Sequence, residues 1–185
     1  MIAVDPLKQK KEDNVAGYVI SMWHIEDLMR ANDLDLGKVD EHLIVPMGLD
    51  ESNHASMREW YAEILERMRA KGIERTGHLE EVEETMNELE FLHHTLVDVL
   101  NDEEYDALFA KAEPGIRTLQ QHAGGDPDGV IATCFTAVYG VMVLRAQNTP
   151  VSTETSQAEA HIRKLLERLS LHYRQMRRLP GVSMN

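Results

Sequence analysis

The stretch HLEEVEETMNELEFLHHTLVDVL, residues 78–100, decides the fold class. Leu79, Val82, Met86, Leu89, His93, Leu96 and Leu100 recur at alternating intervals of three and four. That rhythm keeps one stripe of side chains on one face of an α-helix, whereas a strand would need a period of two. The same rhythm extends outward along the chain. Val15, Tyr18, Met22, Ile25 and Met29 mark a first helix from Asp5-Pro6 to about Asn32. A short second helix is expected from Leu36 to Val45, stopped by Pro46. A third, from Asp50 to Gly72, carries Met57, Trp60, Tyr61, Ile64, Leu65 and Met68. Asn101 and Glu104 have the spacing of a capping box for a fifth helix, which Pro114 should break or kink.

Residues 130–144, VIATCFTAVYGVMVL, contain no charge. A helix apolar on all sides belongs in the middle of a bundle. Asp126-Pro127 should open it, and Ala132, Thr136 and Gly140 should form a groove for a closely approaching helix. A last helix runs from Ser152 to about Arg178 on Ile162, Leu166, Leu169, Tyr173 and Met176. The expected architecture is all-α: a single compact bundle of six to seven helices around a central apolar helix near 129–146. It is read as one domain over 1–185, frayed at 1–9 and 179–185.

Composition removes several functions. The formal charge of −13 opposes nucleic acid and anionic lipid, because neutralising phosphates takes clustered Lys and Arg. Arg174, Arg177 and Arg178 gather at a helix end, where cations complement the dipole. The longest uncharged run, Gly129–Leu144, is too short to span a membrane and holds polar residues. A lone Cys134 and the absence of a secretory pattern suit a cytoplasmic protein. In an apolar helix that thiol is expected to be inert. No P-loop, dinucleotide-binding turn or nucleophile elbow is present, and no cofactor or catalytic residue is assigned.

The polar residues to weigh lie elsewhere. Trp23, Glu26, Asp27 and Arg30 share one face of the first helix beside its apolar stripe. Glu26 and Asp27 can pair with Arg30, or with Arg145, the first charge after the uncharged run. A buried pair of that kind predicts that Arg145→Ala lowers thermal stability. The alternative is a ligand pocket lined by Trp23, Glu26, Asp27, Arg30, His93 and Arg145, which needs a cavity of about 300 Å3 or more. His93 stands at an apolar seam position, where a histidine ordinarily bonds a carbonyl or carboxylate. Glu90 with His93 also has the Glu-x-x-His spacing of di-metal bundles, and Glu51 with His54 repeats it. The central helix lacks the further carboxylate that such a centre requires, so no metal ligand is assigned. Trp60 and Tyr61, or the fourth-helix seam, are candidates for a homodimer interface.

Several blocks together point to a family. They are MWHIEDLMRA (22–31), MREWYAEILERM (57–68), GHL (77–79), LHHTL (92–96) and CFTAVYGVMVLR (134–145). In this order the chain, from about residue 10 to residue 175, resembles a family of uncharacterised bacterial all-helical proteins, a domain of unknown function. The resemblance implies a helical domain and a bacterial cytosolic origin, and it transfers no site. The expected role is structural or protein-interacting, without catalysis, through a homodimer. The alternatives are a small-molecule-binding module or enzyme using the polar pocket, and a metal-binding bundle using Glu90 and His93.

Overall fold

In the computed structural model, residues 6–122 and 129–178 are described. Every regular element among them is helical. The order is α1 (Lys8–Asp13), α2 (Val15–Ala31), α3 (Leu36–Val39), a π-helical turn (Asp40–Ile44), a 3-10 turn (Val45–Met47), α4 (Glu51–Lys71), α5 (Glu80–His94), a second π-helical turn (Thr95–Leu100), α6 (Glu103–His122), α7 (Val130–Ala146) and α8 (Thr153–Arg177). None of these helices is long and apolar enough to cross a membrane.

Local chemistry explains most of the boundaries. Asp50 and Ser152 accept hydrogen bonds from Asn53 and Thr155 N–H, which caps α4 and α8. Gly72 ends α4 at φ 73°, a conformation open to glycine without strain. Three expected boundaries move. The first helix is two, because Asn14 leaves the helix and its Oδ1 caps Gly17 N–H at 2.9 Å. Pro46 does not stop the second; it enters a 3-10 turn near its first position, where a missing N–H is harmless. Asn101 ends the preceding π turn at φ 48°, and Asp102 instead caps Tyr105 N–H at 2.8 Å. Pro114 lies inside α6, which continues to His122. The expected caps at Asp5-Pro6 and Asp126-Pro127 involve positions outside the described residues.

The chain divides into two compact units. One holds the described residues up to Gln9 together with Ser21–Glu83. Its buried side chains include Met29, Val39, Ile44, Ile64, Leu65, Met68 and Val82, and α3 packs on α4. The other holds Lys10–Ile20 and the described residues from Glu84 onward. There α6, α7 and α8 pack on one another and bury Tyr105, Ile116, Phe135, Ile162, Leu165 and Tyr173.

The apolar helix α7 buries Ile131, Cys134, Phe135, Val138 and Val141, but Thr136 and Gly140 are exposed. It is therefore not enclosed on all sides, and a Cβ on Gly140 would meet nothing within 4 Å. The close helix approach occurs instead at Gly115 of α6, where a Cβ would stand 2.9 Å from Ala158 Cβ of α8. The α5 seam holds at Leu79, Val82, Leu89, His93 and Leu96, while Leu100 is 63% exposed. The π-helical turn from Thr95 changes the residues per turn, so the heptad reading loses its face there.

Candidate functional site

In the first unit, α2 presents Trp23, Glu26 and Arg30 to the loop that leads into α5. Glu26 is fully buried. Its Oε1 accepts Leu79 N–H at 2.8 Å, immediately before the first residue of α5, and its Oε2 takes His78 Nδ1 at 2.6 Å. A carboxylate there satisfies an orphan donor and faces the positive end of the helix dipole. Trp23 stacks on the His78 ring at 4.4 Å and 7°. Arg30 donates to Ile73 O and Gly77 O and pairs with Asp27 at 2.9 Å. Asn32 closes the same helix, its amide donating to Leu28 O while its Oδ1 meets His42 Nδ1 at 2.7 Å. The polar face of α2 thus grips residues 73–79 and sets the start of α5. The GHL block supplies both the carbonyl and the imidazole it grips.

A second carboxylate does the same work in the other unit. Gly129 precedes α7 with no side-chain cap of its own. Glu90 of α5 supplies one, accepting Val130 N–H at 3.1 Å and Ile131 N–H at 2.8 Å. Gly129, at φ 91°, makes room for it: a Cβ would lie 2.7 Å from the Glu90 carboxylate. His94 flanks the same carboxylate at 3.4 Å.

His93 is buried and shares a hydrogen bond with the Tyr105 hydroxyl at 2.9 Å, with Phe109 edge-on at 4.8 Å. Burial, and then the neighbouring His94, lowers its pKa to about 4, so the ring is neutral at pH 7. Burial raises the pKa of both Tyr105 and Cys134, which keeps the phenol and the thiol protonated. Cys134 is therefore a packed thiol without nucleophilic character, as its sequence context indicates. His172 stands 3.4 Å from Asp102 and edge-on to Tyr105, and its pKa is lowered by burial.

Of the six residues expected to line one pocket, Trp23 and Glu26 meet at His78, and Arg30 joins Asp27 to Ile73 O and Gly77 O, all in the first unit. His93 belongs to the Tyr105 network. Arg145 is half exposed and lies 3.5 Å from Glu159 of α8, which is its acid partner within the second unit. Sequence reasoning missed Glu159, which is one of many acids in the chain. Its signal was the i,i+4 pairing with Arg163 on an amphipathic helix.

The interface candidates also move. Trp60 and Tyr61 are 7% and 5% exposed and meet edge to face at 5.0 Å, so they belong to the core of this chain. Of the Glu90–His93 pair weighed as metal ligands, Glu90 caps α7 and His93 bonds Tyr105. Glu51 is exposed in the first turn of α4, and His54 pairs with Asp40 at 2.9 Å. Among the described residues, no three His, Cys, Asp or Glu side chains come together as a metal site.

Among the described residues, two concavities bear on ligand binding. One, of about 510 Å3, runs over α4 and the start of α5 and is lined by Arg67, Lys71, Glu81 and Glu83. Its cations are already paired, Arg67 with Glu81 and Lys71 with Glu83. The other, of about 250 Å3, lies among α6, α7 and α8 and is mostly apolar.

No curated protein and no solved structure matches the chain. A family model does, over nearly its whole length. With residues 4–179 matched, this chain belongs to the family described as Domain of unknown function (DUF4924).

Proposed function

We propose that the protein is a structural or protein-interaction module without catalysis, working as a homodimer in a reducing cytoplasm. The observation that carries this reading is the fate of its buried carboxylates. Glu26 and Glu90 each hold a helix start, so the polar groups best suited to chemistry serve the chain's own backbone. The acidic surface, at −13, favours protein partners over nucleic acid. The buried free thiol Cys134 suits a reducing compartment.

Self-association has a candidate surface at the end of α5 and the turn after it. Phe91, Val99 and Leu100 are 67%, 69% and 63% exposed, well above what packed apolar side chains show. Light scattering on the eluting protein tests this. The expected mass is twice 21.1 kDa, falling to 21.1 kDa in Phe91→Asp/Val99→Asp. A wild-type mass of 21.1 kDa at every concentration refutes the homodimer. A double variant that stays dimeric refutes this surface.

A further inference from the structure

We infer that the cavity among α6, α7 and α8 is a binding site for a small uncharged apolar molecule, an arene or hydrocarbon of about the size of ethylbenzene. This does not depend on the interaction reading above. Small residues from three helices leave the space open. Gly115 of α6, Ala137 of α7 and Ala158 of α8 line it, with Val141 and Ile162 as larger apolar walls. The helices cannot close it by moving together. A Cβ on Gly115 would stand only 2.9 Å from Ala158 Cβ, so α6 and α8 already touch at that edge. The volume is about 250 Å3. An apolar cavity of about 150 Å3 takes one benzene ring, so this one has room for a ring with a short substituent.

The polar side chains of the lining set the chemistry, because each is already engaged or lies in solvent. Thr118 Oγ1 donates to Pro114 O at 2.9 Å, and Thr155 Oγ1 shares a hydrogen bond with Ser152 Oγ at 3.0 Å. Glu159 is ion-paired on both sides: its Oε1 accepts Arg163 Nε at 2.9 Å, and its Oε2 faces Arg145 Nη2 at 3.5 Å. Glu154 is exposed to solvent. No buried side-chain polar atom of the lining lacks a partner among the described residues. A charged or strongly polar guest would give up its hydration there and gain no hydrogen bond in return. Water entering the cavity meets the same shortage of partners, so its displacement by an apolar body is favourable.

The probe is ethylbenzene, with 2-phenylethylamine and 3-phenylpropionate as cationic and anionic counterparts of similar shape. Each is titrated into isotope-labelled full-length protein and followed by amide chemical shifts. Ethylbenzene is expected to give saturable shifts centred on Leu119, Ala137 and Ala158, and both charged counterparts to bind more weakly by about tenfold or more. Ala137→Leu puts a larger side chain into the space, and Leu119→Trp, at a position 38% exposed, narrows the mouth. Each should weaken ethylbenzene by about tenfold or more. Circular dichroism melts identify a variant that has lost its fold, and the other then carries the comparison. The absence of saturable shifts overturns the inference. So does equal binding of either charged counterpart, or unchanged affinity in a folded variant. Shifts at the same amides on dilution without any probe would show that a second copy of the chain covers the cavity, and would overturn it as well.

Discussion

Acidification tests the buried His93–Tyr105 pair most directly. In the unfolded chain His93 titrates near 6.5; in the folded chain burial brings it to about 4. The folded state therefore refuses a proton that the unfolded state accepts. The contribution is fully present above pH 6.5, is lost as pH falls from 6.5 towards 4, and changes no further below 4. A full separation of this size corresponds to about 3 kcal/mol, at 1.36 kcal/mol per unit. By pH 5 the loss relative to pH 7.5 is about 2 kcal/mol. For a chain of this length that lowers Tm by roughly 4–8 °C. The comparison variant is His93→Asn, whose terminal amide can meet the Tyr105 hydroxyl in place of Nδ1 without titrating. Urea denaturation followed by helical circular dichroism at pH 7.5, 6 and 5 gives the two slopes. Subtracting one from the other cancels every other titrating group, including His172, whose lowered pKa acts in the same direction. Wild type is expected to lose about 2 kcal/mol more than His93→Asn over this range. Parallel slopes would show that His93 takes up protons equally in both states, and the burial argument would fail.

Three further perturbations have defined outcomes. Glu26→Ala leaves the Leu79 N–H without its acceptor and His78 without its partner, and should destabilise by about 2–3 kcal/mol in thermal or urea melts; a change below 0.5 kcal/mol would refute the cap. Gly129→Ala combines an unfavourable φ with a methyl group 2.7 Å from the Glu90 carboxylate, so about 1–3 kcal/mol should be lost, together with slowed-exchange protection of the Val130 and Ile131 amides; retained protection would count against the Glu90 contact. Arg145→Ala should move stability by less than about 1 kcal/mol, because the pair is half exposed and Arg163 still holds Glu159; a larger loss, as the buried-pair expectation required, would show that the ion pair is stronger than its geometry allows.

The primary sequence by itself determined the helical class and most of the chain's punctuation. The three-and-four spacing, Asp50, Gly72 and Ser152 act within a few residues of themselves, so their consequences are written locally. The family was equally legible, through blocks that turn out to hold the fold. MWHIEDLMRA grips GHL, and LHHTL carries His93 to Tyr105. What those blocks do was decided only in three dimensions. Glu26 finds Leu79 across 53 residues, and Glu90 finds Val130 across 40. Nothing in either acid's neighbourhood along the chain distinguishes a trans-acting cap from a solvated charge or a metal ligand. The burial of Trp60 and Tyr61, the opening of α7 at Thr136 and Gly140, and the cavity beside Glu159 likewise depend on which helix lies against which. A helical period says that a face is apolar; it does not say what will cover that face. That choice is made by packing, where a single small residue such as Gly115 sets how closely two helices meet.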